Sequence, residues 1–169
     1  MRLLPALAVA VSLLASGCSK DATTAPSATN PSFTSTLSPA NEVPAIGNAE
    51  SVGTGTVTVT FDLTYAGGAI TAATATFNVS LSGFPPNTPI NIAHIHPGAA
   101  GVNGPVLVNT GLAAGQVVLA NGSGNFTRGP VTMTPEVAQQ ILNTPEAYYF
   151  NVHSTINPGG VARGQLRRQ

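Results

Sequence analysis

The chain has 169 residues, enough for one domain with a leader and tail rather than two typical domains. Charged residues make up 7%, far below the roughly 25% of an ordinary soluble domain, and six basic against six acidic residues leave no net charge, which excludes the electrostatic footprint of a nucleic-acid binder. Hydrophobic residues at 43% exclude wholesale disorder, while 18 Gly, 14 Pro and no Trp point to short strands and many turns.

Met1 and Arg2 precede an almost wholly apolar run from Leu3 to Leu14, followed by Ala15-Ser16-Gly17-Cys18. This has the form of a secretory signal and is too short for a comfortable membrane span. Its end resembles a bacterial lipobox, with Ala15 where Leu is commoner. The expectation is a lipoprotein signal peptide over residues 1–17. Cys18, the only cysteine, would be acylated and would hold the protein to a lipid bilayer. The alternative is an ordinary signal peptide with Cys18 incidental. Ser19 rather than Asp follows the cysteine, which favours the outer membrane in a cell that has one. Residues 18–32, rich in Ala, Thr, Ser, Pro and Asn, read as a flexible tether, and 33–169 as the folded domain.

From Thr54 to Leu63 the residues Val57, Val59, Phe61 and Leu63 alternate with Thr56, Thr58, Thr60 and Asp62, the pattern of a half-buried strand. Ala66-Gly67-Gly68-Ala69 reads as a turn, and 70–81 as the returning strand with Ala73, Ala75, Phe77, Val79 and Leu81 on one face. Three prolines make 83–89 a loop. Further strands are expected over 90–96, 105–109, 116–120 and 124–128. Thr134-Pro135-Glu136 starts a short helix that runs to about Leu142: Thr caps, Pro suits the first turn and Glu favours its positive end. Strands over 147–153 and 161–166 close the chain around the turn Asn157-Pro158-Gly159-Gly160. About eight strands with Gly and Pro between them argue for an all-β, antiparallel Greek-key sandwich or barrel with one short helix.

All three histidines sit near strand ends. His94 and His96 are two apart, so a strand carries both imidazoles on one face, about 7 Å apart. His153 lies in a later strand; if the two strands are neighbours, the three rings converge. Neutral imidazole is the commonest ligand for zinc and copper, which makes His94, His96 and His153 candidate metal ligands. The structural alternative is three histidines that only satisfy neighbouring polar groups. In so charge-poor a chain Glu42 and Arg163 also stand out. A two-point hydrogen bond between them would tie the first and last segments of the domain together; alternatively Glu42 orients a histidine or completes a metal shell. No nucleophile elbow and no phosphate-binding glycine motif is present.

Five motifs occur in order: Asn41-Glu42-Val43-Pro44; Ala93-His94-Ile95-His96 with Gly98; Gly104-Pro105-Val106; Tyr149-Phe150-Asn151-Val152-His153-Ser154; and Asn157-Pro158-Gly159-Gly160-Val161-Ala162-Arg163-Gly164-Gln165-Leu166. Together they resemble the CHRD domain, the module named after chordin, over about Phe33 to Leu166. Ala45 stands where a second Pro is common, and Val161-Ala162 where Glu-Ile usually precedes the arginine. The resemblance implies an extracellular β-sandwich, immunoglobulin-like or superoxide-dismutase-like, with no enzymatic activity attached to it. The His-x-His strand is similar to one that carries copper ligands in Cu,Zn superoxide dismutases. Those enzymes use six histidines and an aspartate, and three histidines cannot assemble their bridged two-metal site.

Two functions follow as expectations. One is a membrane-anchored extracytoplasmic module without catalysis, whose partner is a protein or an envelope polymer. The other is a mononuclear copper or zinc site at His94, His96 and His153. A hydrolase using His153 and Glu42 as acid and base is a weaker third, since nothing in the sequence suggests a substrate.

Overall fold

A computed structural model describes residues 30–169. The expected signal peptide, Cys18 and the tether up to residue 29 lie outside the described residues. The domain is all-β and sandwich-like: two antiparallel sheets packed on one core, with one α-helix.

The first sheet is built on the hairpin read from alternation. Strand β2 (Thr54–Ala66) and β3 (Ala69–Ser82) pair over their whole length, with Val57 opposite Val79, Val59 opposite Phe77 and Phe61 opposite Ala75. Every one of those residues is buried, while the intervening Thr, Ser and Asn side chains form the outer face. Gly67 and Gly68 both take positive φ, 58° and 82°, the geometry that joins two twisted strands in a two-residue turn. Strand β1 (Ser32–Leu37) pairs with β2 and buries Phe33 and Leu37. It is absent from the expected strands because its short Ser/Thr-rich run carries only two large apolar residues.

The chain then crosses to the second sheet. Strand β4 (Thr88–Pro97) pairs on one side with β5 (Val108–Asn109) and β6 (Val117–Leu119). The expected strand from Pro105 shrinks to the two residues of β5, because Gly104 is packed against the Pro97 carbonyl and the chain leaves the ladder there. Strand β7 (Gly124–Met133) returns to the edge of the first sheet beside β3. It runs five residues past its expected end through Gly129-Pro130. An edge strand tolerates Pro, and the register with β3 shifts at that point, between Ala75 and Phe77.

Helix α1 (Pro135–Asn143) starts as its sequence predicts: Thr134 Oγ1 accepts from Val137 N, and Pro135 occupies the first turn. Ala138 and Ile141, three apart, are its buried residues. Strand β8 (Tyr148–Ser154) pairs with β4, and β9 (Ala162–Gln165) pairs with β8. The two-residue β10 (Arg167–Arg168) pairs with β1, completing sheet orders β10-β1-β2-β3-β7 and β5-β4-β8-β9, with β6 also on β4. Phe77 of the first sheet stacks on Phe150 of the second, centroids 5.8 Å apart, at the centre of the shared core.

Strand β8 is buried on both faces, and so is the second half of β4. Ala93, Ile95, Phe150 and Val152 point into the core. His94, His96, Tyr149, Asn151 and His153 alternate with them and therefore occupy the opposite face. That face is covered by the segments 98–107 and 155–160, whose Gly104 and Pro158 carbonyls contact His96 and His153, and by the Glu42 side chain near Asn151.

Candidate metal centre

The antiparallel register sets the layout. His94 lies opposite Asn151 and His96 opposite Tyr149, while His153 is two residues beyond Asn151 on its own strand. Asn151 thus sits at the middle of the histidine face, directly across from one ring and adjacent to the other two. The three imidazoles come together: one ligand nitrogen from each lies within 4.8 Å of the others. His94 Nδ1 is 3.3 Å from His153 Nε2. His94, His96 and His153 are 5%, 6% and 6% exposed, so the cluster is nearly closed to solvent.

Two of the rings are oriented by main chain. His96 Nδ1 donates to the Gly104 carbonyl at 3.0 Å, and His153 Nδ1 donates to the Pro158 carbonyl at 2.9 Å. A carbonyl oxygen only accepts, so the proton of each neutral ring is assigned to Nδ1. Each Nε2 then offers a lone pair toward the centre. This is the arrangement by which a histidine ligand is fixed through its other nitrogen. Tyr149 stacks on His96, centroids 4.9 Å apart and rings 5° from parallel, and its hydroxyl accepts from Gly104 N. Burial pushes the His94 pKa down to about 4, with the nearby His153 and His96 adding to the shift. Burial also lowers that of His153. Both rings are neutral at pH 7, the protonation state a metal requires.

Glu42 and Arg163 are both buried near this face, but Arg163 directs its hydrogen bonds elsewhere than the Glu42 carboxylate. Its Nε donates to the Asn41 carbonyl at 2.6 Å and its Nη1 to Asn103 Oδ1 at 2.8 Å, and the guanidinium covers the Tyr149 ring at 4.4 Å. The direct two-point bond is therefore replaced by bonds to the residue beside Glu42 and to the 98–107 segment. The first and last segments are still joined, because Ser38 and Arg163 exchange backbone hydrogen bonds. Glu42 Oε1 has no hydrogen-bond partner. Burial raises the Glu42 pKa to about 7, against the lowering effects of Arg163 and Asn151.

Four participants escape a reading of the sequence by residue type. Asn151 Oδ1 lies 3.1 Å from both His96 Nε2 and His153 Nε2. Its signal was available, since it precedes His153 by two in an alternating strand and must share its face. The carbonyls of Gly104 and Pro158 carry no signal, because every residue has one. Glu50, fully buried, accepts from Ser154 Oγ and Asn157 Nδ2, each at 2.5 Å, and so holds the turn that presents Pro158 to His153.

No curated protein and no solved structure was found to match the chain. The CHRD domain family matches residues 33–166, which takes in every strand and side chain of the site except the terminal β10 and Ser32. A chain with that match over most of its length, an all-β sandwich and the motif residues gathered around one buried face belongs to the CHRD domain family.

Proposed function

We propose that this CHRD chain is a membrane-anchored, extracytoplasmic binding module that takes one copper or zinc ion at His94, His96 and His153. The observation that carries the reading is the convergence of three imidazole nitrogens, with two of the rings turned by Nδ1 bonds to the Gly104 and Pro158 carbonyls. A set of three imidazoles is suited to both metals. The near-closed setting suits retention or transfer of an ion better than turnover of a bulky substrate. The family supports a binding or structural module. Anchoring rests on the lipobox-like Ala15-Ser16-Gly17-Cys18, and the partner beyond the bilayer is an extracytoplasmic protein or envelope polymer.

The test is metal analysis of full-length chain purified without a histidine tag. One copper or zinc per chain is expected, lost in His94→Ala and His153→Ala variants that remain folded. The competing reading is a hydrogen-bonded histidine knot that only stabilises the sheet. It is favoured by the polar partners each ring already has. Absence of metal from the wild type, with loss of fold in both variants, would establish it. Anchoring is tested separately: Cys18→Ser should move the protein from the membrane to the soluble fraction.

A further inference from the structure

Asn151 stands at the meeting point of the histidine face. Its Oδ1 is 3.1 Å from His96 Nε2 and 3.1 Å from His153 Nε2. Both ring protons are committed to main-chain carbonyls on the far side, so in the neutral rings these nitrogens are acceptors. An acceptor oxygen therefore faces two acceptor lone pairs, in a residue only 2% exposed. Two arrangements relieve it: a cation between the three atoms, or an amide turned so that Nδ2 donates to both rings.

The amide is held in this orientation from behind. A Cβ added at Gly160 would lie 2.8 Å from Asn151 Nδ2 and 2.8 Å from each Glu42 carboxylate oxygen. The amide nitrogen and the carboxylate thus share the space above Gly160. In its ionised form the Glu42 carboxylate attracts the NH2 end of the amide and repels the oxygen, which turns Oδ1 toward the rings.

We infer that Asn151 Oδ1 is a fourth donor to the ion held by His94, His96 and His153, with Glu42 as the positioning residue that aims it. The inference rests on the three-histidine reading above and deepens it: the site is a closed four-donor cage, not an open three-donor one. The spacing fits. Tetrahedral bonds of about 2.0–2.1 Å to nitrogen and oxygen place neighbouring donors about 3.3–3.4 Å apart. The His94–His153 separation is 3.3 Å and the two Asn151 separations are 3.1 Å.

Cobalt(II) is the probe, because its visible absorption reports coordination number and ligand exchange. The full-length chain would be stripped of metal, titrated with Co(II), and then exposed to excess azide. The four-donor cage predicts a tetrahedral spectrum that azide leaves unchanged. Asn151→Ala should bind Co(II) about 10–100-fold more weakly and acquire an azide-sensitive spectrum. An azide response in the wild type, or wild-type affinity and spectrum in Asn151→Ala, would overturn the role of Asn151 while leaving the three-histidine site intact. Failure of the wild type to bind Co(II) at all would instead overturn the three-histidine reading. The azide experiment on the wild type decides the matter even if the variant does not fold.

Discussion

Glu42 and His94 carry opposite burdens in the same buried region. Burial holds Glu42 protonated up to about pH 7 against an ordinary value of 4.5, and holds His94 neutral down to about 4 against 6.5. For Glu42 the folded state binds the proton more tightly. Its stabilising contribution is complete below pH 4.5 and is lost as pH rises through about 7. For His94 the unfolded state binds the proton more tightly. Its contribution is complete above pH 6.5 and is lost as pH falls through about 4, and His153 acts in the same direction. Between pH 4.5 and 6.5 the two slopes oppose each other in the wild type. Glu42→Gln removes one of them. Its thermal midpoint should gain on the wild type as pH rises from 4.5 to 7, and should fall more steeply on acidification. Parallel midpoint curves for the two proteins would contradict this assignment. At this scale the sequence was informative about identity and poor about partners. His94, His96, His153, Glu42 and Arg163 all stand out as rare residues in a charge-poor chain. The bonds they make go largely to carbonyls, which no residue type marks, and to Asn151, which only its place in the alternating strand marks.

The strands are what bring those residues together. The β4–β8 register places Asn151 opposite His94, and the alternation of both strands then sends all three histidines to one face. The covering loops do the rest, and the segment 98–107 is the clearest case. A Cβ at Gly104 would meet the Pro97 carbonyl at 1.7 Å, so only glycine lets this loop lie against the strand and offer its carbonyl to His96. Gly104→Ala should force the loop away, destabilise the domain by about 1–3 kcal/mol, and release the His96 ring. Urea denaturation measures the first effect, and the His96 ring signals in NMR measure the second. Unchanged stability and an unchanged ring would show that the loop is not held by this contact. The β2–β3 hairpin and helix α1 were legible because period-two alternation, Gly67-Gly68 and Thr134-Pro135 are local signals. Strands β1 and β10 were not, because their pairing depends on partners far away in the chain.

Across the described residues, two sheets rich in small and β-branched residues share a core that also holds Phe33, Phe61, Phe77, Phe84, Tyr148 and Phe150. Phe77 and Phe150 meet there across the sheets, and Phe150 belongs to the strand that carries Asn151 and His153 on its other side. Phe150→Ala should reduce unfolding free energy by about 3–5 kcal/mol, a large share of the 5–15 kcal/mol typical of a domain. The denaturant dependence should stay unchanged, since the same surface is exposed on unfolding. A loss below about 1 kcal/mol would place the core elsewhere. Composition and strand spacing were sufficient to read an all-β sandwich, because Gly and Pro between alternating segments leave few other ways to bury the apolar faces. They were insufficient to show that one face of the second sheet is itself buried by loops, which is what makes the histidine cluster a site rather than a surface feature.

The central claim is that one ion sits among the three converging imidazoles. Anomalous diffraction from crystals of the copper- or zinc-loaded protein, recorded at the edge of that metal, tests it directly. The account predicts a single peak about 2.0–2.1 Å from His94 Nδ1, His96 Nε2 and His153 Nε2. Fully loaded crystals with no peak between those nitrogens, or with the ion bound elsewhere on the chain, would contradict it.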